Sequence, residues 1–314
     1  MFDYPEMLLN ACRIGNLRKI KDLIENIGIS PCVKNNNGIK YAAINGHLRV
    51  VKYLLQYSCV DVTSQDNYAF IYAAYHGKTS VVRYLLNYPN VNPAANSNYA
   101  ICSAAENGYY NIVKMLLKDK RIDPTVTSNW PLRLAIRNGH YDIVKLLLKD
   151  KRVDPSVINN EVIKAASALG YFNIVEILLK DKRVDPTAED NYSIVRAAKG
   201  GYCNVVKLLM EDSRVDPSAQ NNLAFQYAAK LGYADIVDLL LNDSRVDPTA
   251  NNNVSLYYAI SRHNYNVVKL LINDTRVLKN ISIEDIKDKN VLKFIVNKLN
   301  LKSEEELEKC LNFI

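Results

Sequence analysis

The sequence predicts an all-α solenoid of about nine helix-turn-helix repeats, and three residue columns predict it. Ala166 recurs, at a step of 31 residues, as Ala11, Ala42, Ala73, Ala104, Ala135, Ala197, Ala228 and Ala259. Gly170 recurs as Gly15, Gly46, Gly77, Gly108, Gly139, Gly201 and Gly232, and only the ninth place, His263, breaks that column. Leu178 recurs as Leu23, Leu54, Leu85, Leu116, Leu147, Leu209, Leu240 and Leu271. A fixed period of this length marks a stacked array, in which each unit shelters the apolar flank of the next. We read the array over residues 1–279, nine copies with the first and last atypical, and residues 280–314 as a C-terminal helical cap or short docking segment.

Within a copy the order is helix, tight turn, helix, extended return. Just ahead of the fourth copy Asn98 is a suitable helix N-cap, and Ile101 to Asn107 supply a short apolar helix whose alanines let a neighbour approach closely. Gly108 ends it, at a place where a left-handed backbone is expected. The second helix carries Ile112, Val113, Leu116 and Leu117 on one face, with Lys114 and Lys118 off that stripe. The return holds a small apolar anchor before Asp-Pro, and proline cannot continue a helix. Eight of the eleven glycines stand in the turn column, and seven of the ten prolines (Pro31, Pro93, Pro124, Pro155, Pro186, Pro217, Pro248) in the return column. Gly139→Val is therefore expected to harm more than Gly200→Val, since only Gly139 stands at the turn.

The first copy (Glu6 to Asn36) is degenerate and the ninth ends Val277-Leu278-Lys279 without Asp-Pro, as end copies facing water on one side should. Beyond it, Ser282 with Asp285 and Ser303 with Glu306 have capping-box spacing. Val291, Leu292, Ile295 and Leu299 form one apolar stripe, and Leu307, Leu311 and Ile314 another.

The array resembles ankyrin repeats. The alanine, glycine-histidine and valine-leucine core of that family is legible in Ala42, Ala43, Gly46, His47, Val50, Val51, Leu54 and Leu55, and again from Ala135 to Leu148. Its Thr-Pro-Leu-His-x-Ala signature survives only as Trp130-Pro131-Leu132-Arg133-Leu134-Ala135; elsewhere Tyr68, Tyr99 and Tyr192 take the first place. The step is about two residues shorter than the usual ~33, with the shortfall in the return loop, so no protruding β-finger is expected. The LLKDKRVDP return in an Asn-, Lys-, Tyr- and Ile-rich background is most similar to ankyrin proteins of giant DNA viruses, which would place the chain inside a host cell.

With 48% hydrophobic and 23% charged residues the composition is that of an ordinary globular protein, and a formal charge of +7 does not by itself point to nucleic acid. The N-terminus has no cationic start followed by an apolar stretch, and no apolar run approaches the ~18 residues of a membrane span. Six cysteines without a CxxC pair or a shared column argue against a zinc site or disulfide framework and for a reducing compartment. No GxSxG, GxxxxGK[ST] or HExxH occurs, and no cofactor or metal site is expected. His47 and His140 follow the turn glycine and read as turn residues. The arginines Arg121, Arg152, Arg183, Arg214, Arg245 and Arg276 form a column, but aspartates stand two residues before each and two after most, so an ion-pair ladder is expected rather than a phosphate-binding row.

What the resemblance implies is a monomeric, non-enzymatic scaffold holding a partner protein on a concave face made by return loops and first helices. Mapped here, the loop tips are Gln65, Asp66, Asn96, Thr127, Ile158, Asn159, Glu189, Asp190 and Gln220. The first-helix positions are Tyr72, Tyr75, His76, Glu106, Arg137, Asn138, Leu169, Arg196, Lys199, Tyr227, Lys230, Leu231 and Tyr258. Tyrosine and arginine combine area, stiffness and a polar end, which suits them to interfaces. Two alternatives stand beside this: a substrate-recruiting ubiquitin-ligase adaptor docking through residues 280–314, and nucleic-acid binding through the arginine column.

Overall fold

The computed structural model describes residues 3–281 and 286–299, so the two capping boxes and the stripe of Leu307, Leu311 and Ile314 lie outside the described residues. Among the described residues every regular element is helical and no strand occurs. None of these helices is long and apolar enough to cross a membrane.

Two compact units divide the chain, Met1–Val157 and Ile158–Ile314. In the first, the leading helices of successive copies are α1 (Tyr4–Ile14), α3 (Val33–Asn45), α5 (Ser64–Tyr75), α7 (Ala95–Glu106) and α9 (Val126–Arg137). Their partners are α2 (Leu17–Lys21, prolonged by a π-helical turn Asp22–Asn26), α4 (Leu48–Leu54), α6 (Thr79–Leu86), α8 (Tyr110–Leu116) and α10 (Tyr141–Leu148). The second unit repeats the pairing with α11 (Val157–Ala168) and α12 (Phe172–Leu179), α13 (Ala188–Gly200) and α14 (Cys203–Glu211), α15 (Ala219–Leu231) and α16 (Ala234–Leu241), and α17 (Ala250–Ser261) and α18 (Tyr265–Asn273). It closes with α19 (Thr275–Lys279) and α20 (Lys289–Leu299).

Leading helices pack on leading helices, α13 on α15 and α15 on α17, with the alanine column at the contact. Ala104, Ala135, Ala166, Ala197 and Ala228 are fully buried, and so are Leu116, Leu147, Leu178, Leu209 and Leu240 of the second helices. At the far end Val291, Leu292 and Ile295 of α20 are buried where it lies against α18.

The glycine turn is constrained twice. Gly46, Gly77, Gly108, Gly139, Gly170, Gly201 and Gly232 hold φ of 70–83°, and the next N–H reaches back to the alanine carbonyl, as from Tyr109 to Ala104 (2.9 Å). His263, alone in that column, holds φ 56° without being glycine. Independently, the residue after the turn in one copy lies over the turn glycine of the copy before. A Cβ on Gly77 would stand 2.6 Å from the Tyr109 ring, and one on Gly201 2.8 Å from Tyr233. His47 and His140 occupy the same place and bond through Nε2 to the carbonyls of Arg13 (2.9 Å) and Glu106 (2.8 Å), so Nε2 carries the proton. They are turn residues that stitch copies together. Gly200 is not the free position it looked in the sequence, because a Cβ there would meet the Tyr202 ring at 2.3 Å. The contrast drawn with Gly139 is narrowed accordingly.

A cleaner pair is Gly28 and Gly77. Both have positive φ, but nothing lies within 4 Å of a Cβ on Gly28. Gly28→Ala should cost about 1–2 kcal/mol of backbone strain. Gly77→Ala should add about 1–3 kcal/mol for displacing the ring. Equal shifts in urea midpoint for the two would show that the ring does not rest on the glycine.

The return is where the structure departs most from its sequence reading. Val91, Ile122, Val153, Val184, Val215 and Val246 are buried anchors, as expected. The aspartate that follows folds the chain locally: Asp123 Oδ1 accepts from the N–H (2.8 Å) and hydroxyl (2.7 Å) of Thr125, and Asp185, Asp216 and Asp247 do the same for Thr187, Ser218 and Thr249. Three consecutive non-glycine residues then take left-handed backbone before the right-handed helix begins, for example Asn96, Ser97 and Asn98 at φ 49, 53 and 58°. One N–H to C=O bond closes seven of these eight turns, as from Asn98 to Ala94 (2.9 Å).

The third residue of each turn is a buried asparagine: Asn36, Asn67, Asn98, Asn129, Asn160, Asn191, Asn222 and Asn253. Asn98 therefore precedes the helix as expected, yet its side chain does not cap that helix. Its Oδ1 accepts from the backbone N–H of Asp123 in the following copy (2.9 Å), and Asn191 and Asn222 do the same for Asp216 and Asp247. Asparagine tolerates left-handed backbone better than most residues and supplies the acceptor that ties two copies together.

Cys12, Cys32, Cys59, Cys102 and Cys203 are free thiols. Burial pushes Cys12 and Cys102 up to about 12, so both stay protonated and unreactive near neutral pH.

Candidate partner-binding face

The tip residues are the first two positions of the left-handed turns. Gln65, Asp66, Asn96, Thr127, Ile158, Asn159, Glu189, Asp190 and Gln220 all have φ between 48 and 57°, and all but the half-buried Gln220 are exposed. Pinned by the buried asparagine, and in all but the Ile158–Asn159 turn closed by a backbone hydrogen bond, the tips form fixed platforms rather than slack loops. Neighbouring tips of the second unit are also laced together. Asn159 Nδ2 donates to Glu189 Oε1 (3.2 Å), and Gln220 Nε2 to the Asp190 carbonyl (2.8 Å). Buried Lys164 reaches Glu189 and Glu161.

First-helix residues named from the sequence all remain exposed or half-buried. In the first unit Tyr72 stacks on Tyr68 (centroids 4.0 Å) and meets Tyr75 (5.9 Å), and Tyr75 abuts His76 edge-on (5.0 Å). Glu106, Arg137 and Asn138 end their helices; Asn138 Nδ2 turns back to the Leu134 carbonyl (2.9 Å). In the second unit Lys199 Nζ lies 5.1 Å from the Tyr227 ring centre, and Lys230 Nζ 4.8 Å from that of Tyr258. Arg196 lies over Tyr192 (5.5 Å), while Leu169 and Leu231 are exposed beside them.

One column was missed. Tyr68, Tyr99, Trp130 and Tyr192 were read as the first position of a framework signature, yet they are half-buried or exposed and belong to this same face. Trp130 sits under Arg133 (4.9 Å), one turn away. Burial, aided by neighbouring Tyr72, raises the Tyr68 and Tyr99 hydroxyls above the ordinary tyrosine value. The signal available was spacing: these residues precede Tyr72 and Arg196 by one helical turn, and so share their face.

The arginine column is committed elsewhere. Each arginine pairs with the aspartate two residues before it, Asp119, Asp150, Asp181, Asp212, Asp243 and Asp274, at 2.6–2.7 Å. Arg121, Arg152, Arg214, Arg245 and Arg276 also donate across to the buried anchor's carbonyl in the previous copy, Val91, Ile122, Val184, Val215 and Val246 respectively. The later aspartate serves the threonine or serine turn instead. A guanidinium with its fork filled by carboxylate and carbonyl oxygens is a structural clamp.

These arginine hydrogen bonds hold the six carboxyls below the usual carboxylate range. The folded value lies below the unfolded value of about 3.9, so the contribution is complete above that pH and is lost as pH falls through the folded value. Thermal midpoints should be level down to about pH 5 and drop below about pH 4. Asp212→Asn should lower the neutral-pH midpoint and flatten the acid slope; a parallel drop in both proteins would contradict the clamp.

A family model for ankyrin repeats (3 copies) matches residues 8–97, 39–128, 101–190 and 194–285. The chain belongs to the ankyrin-repeat family. Its all-helical structure without strands among the described residues is that of an ankyrin solenoid, with the left-handed turn in place of a hairpin. Ankyrin repeats are as a rule protein–protein interaction modules, and their proteins non-enzymatic scaffolds. No curated protein matches the chain.

Proposed function

We propose that this ankyrin protein is a non-enzymatic scaffold that holds a partner protein against the face made by its return turns and first helices. One observation carries it. Alanine, glycine, leucine, asparagine and arginine columns are all consumed by contacts between copies, while aromatic and charged side chains on the first helices remain exposed on a rigid frame. Rigid aromatic anchors lose little entropy on binding and dominate interface energies. Residues 1–279 form the array in this reading and 280–314 its cap; burial of Val291, Leu292 and Ile295 against α18 favours capping over ligase docking. The arginine clamp argues against phosphate binding by that column. Placement of a monomer in a reducing compartment rests on the scattered cysteines, and kinship with viral ankyrin proteins on the LLKDKRVDP return.

Affinity capture from the native setting, read by mass spectrometry, tests this. A captured protein should be lost when Tyr72, Tyr75, Tyr227 and Tyr258 are changed to Ala and kept when Lys118 and Lys180, just past the second helices α8 and α12, are. Loss only on deleting 280–314 would favour the ligase adaptor. Generic RNA or DNA binding that collapses with added salt would favour the nucleic-acid alternative.

A further inference from the structure

Cations seated on rings recur along the leading helices. In the first unit Arg13 lies over Tyr41 of the next copy and Arg133 over Trp130, beside the ring cluster of Tyr68, Tyr72 and Tyr75. In the second unit the arrangement repeats in adjacent copies. Lys199 lies over Tyr227 of the next copy and Lys230 over Tyr258 of the one after, with Arg196 over Tyr192 within a helix.

On this face Glu161 and Glu189 are engaged by Lys164, while Asp190 is exposed at a tip without an ion pair among the described residues. Away from it, Asp181, Asp212, Asp243 and Asp274 are held by their arginines. Among the described residues Lys199 and Lys230 have no carboxylate within ion-pair distance. A ring face orients an ammonium without neutralising it, so these two charges are placed and still available. Beside them Leu231 is 44% exposed and offers apolar contact.

We propose that the first-helix face of the second unit binds an extended acidic peptide segment, its carboxylates received by Lys199 and Lys230 with Arg196 alongside. This rests on the scaffold reading and names the class of partner. Lys199 and Lys230 hold the same position in adjacent packed helices, and such helices stand about 8–10 Å apart. An extended chain rises about 3.3 Å per residue, so carboxylates at i and i+3 meet both lysines. Single-stranded nucleic acid fits less well, because base stacking needs open ring faces and the Tyr192, Tyr227 and Tyr258 rings each carry a cation on one face.

The test pans a random peptide library against the full-length protein and measures enriched peptides by fluorescence anisotropy. Enrichment of Asp or Glu at i and i+3 is expected. Affinity should fall about tenfold or more in the double variant Lys199→Glu, Lys230→Glu, and stay unchanged in Lys207→Glu, an exposed lysine of α14. Unaltered circular dichroism melting of the variants guards against misfolding. Neutral or basic peptides that bind the double variant as well as wild type would overturn the acidic class while leaving the scaffold reading in place. No enrichment at all would count against both. Oligouridylate binding more tightly than any peptide, and lost in the double variant, would hand the face to nucleic acid.

Discussion

Leu178→Ala is expected to lower the unfolding free energy by about 2–5 kcal/mol. Leu178 is fully buried in α12, which packs against α14, the helix that carries the equally buried Leu209. Truncation removes three carbons from a site whose walls are helices already held by their own turns, so the cavity closes only in part and most of the contact energy is lost. In a repeat array each copy is stabilised by its neighbours, so the loss should spread to adjacent copies rather than to the whole chain. Urea melts give the magnitude, and hydrogen exchange should show protection falling first between α11 and α14. An unchanged midpoint would mean that the leucine column is not core.

Asn222→Ala should cost about 1–3 kcal/mol from the hydrogen bond alone. Asn222 is buried at φ 64°, and its Oδ1 receives the Asp247 N–H at 2.9 Å. Alanine leaves that N–H without its acceptor and puts a residue with a greater left-handed penalty in the turn, a further ~1 kcal/mol. Asn222→Asp separates the two terms, since a carboxylate can still accept; partial rescue by Asp is the expected outcome, and equal loss in Ala and Asp would assign the cost to backbone strain. The opposite sign is expected one step earlier. Thr127 is β-branched at φ 48° and exposed, so Thr127→Gly should stabilise by about 1 kcal/mol in the same melts. No gain would show that the turn is not strained there.

Much of the framework was legible because its columns are periodic and each residue type has one good physical use. Alanine permits close helices, glycine the left-handed turn, and leucine the buried stripe. The buried valine or isoleucine anchors and the Asp–Arg pairs were likewise open to reading from composition and order. What escaped was the second partner of each column. Asn98 looked like a helix cap, and only packing reveals that its amide serves the next copy. Arg121 looked like half of a surface ion pair, and only packing shows it bonded to Val91 and Leu86 carbonyls. Tyr192 looked like framework because its column matches a signature, although it lies beside Arg196 on the open face.

Local chemistry and a 31-residue rhythm therefore determined the helices, the turns and the stacked architecture, since those depend on contacts between residues close in sequence or one period apart. Which hydrogen-bonding groups are spent between copies, and so which side chains are left for a partner, was decided only by the tertiary structure. A donor's partner 25 to 35 residues away depends on how far the return climbs before the next helix starts, and three left-handed residues set that climb.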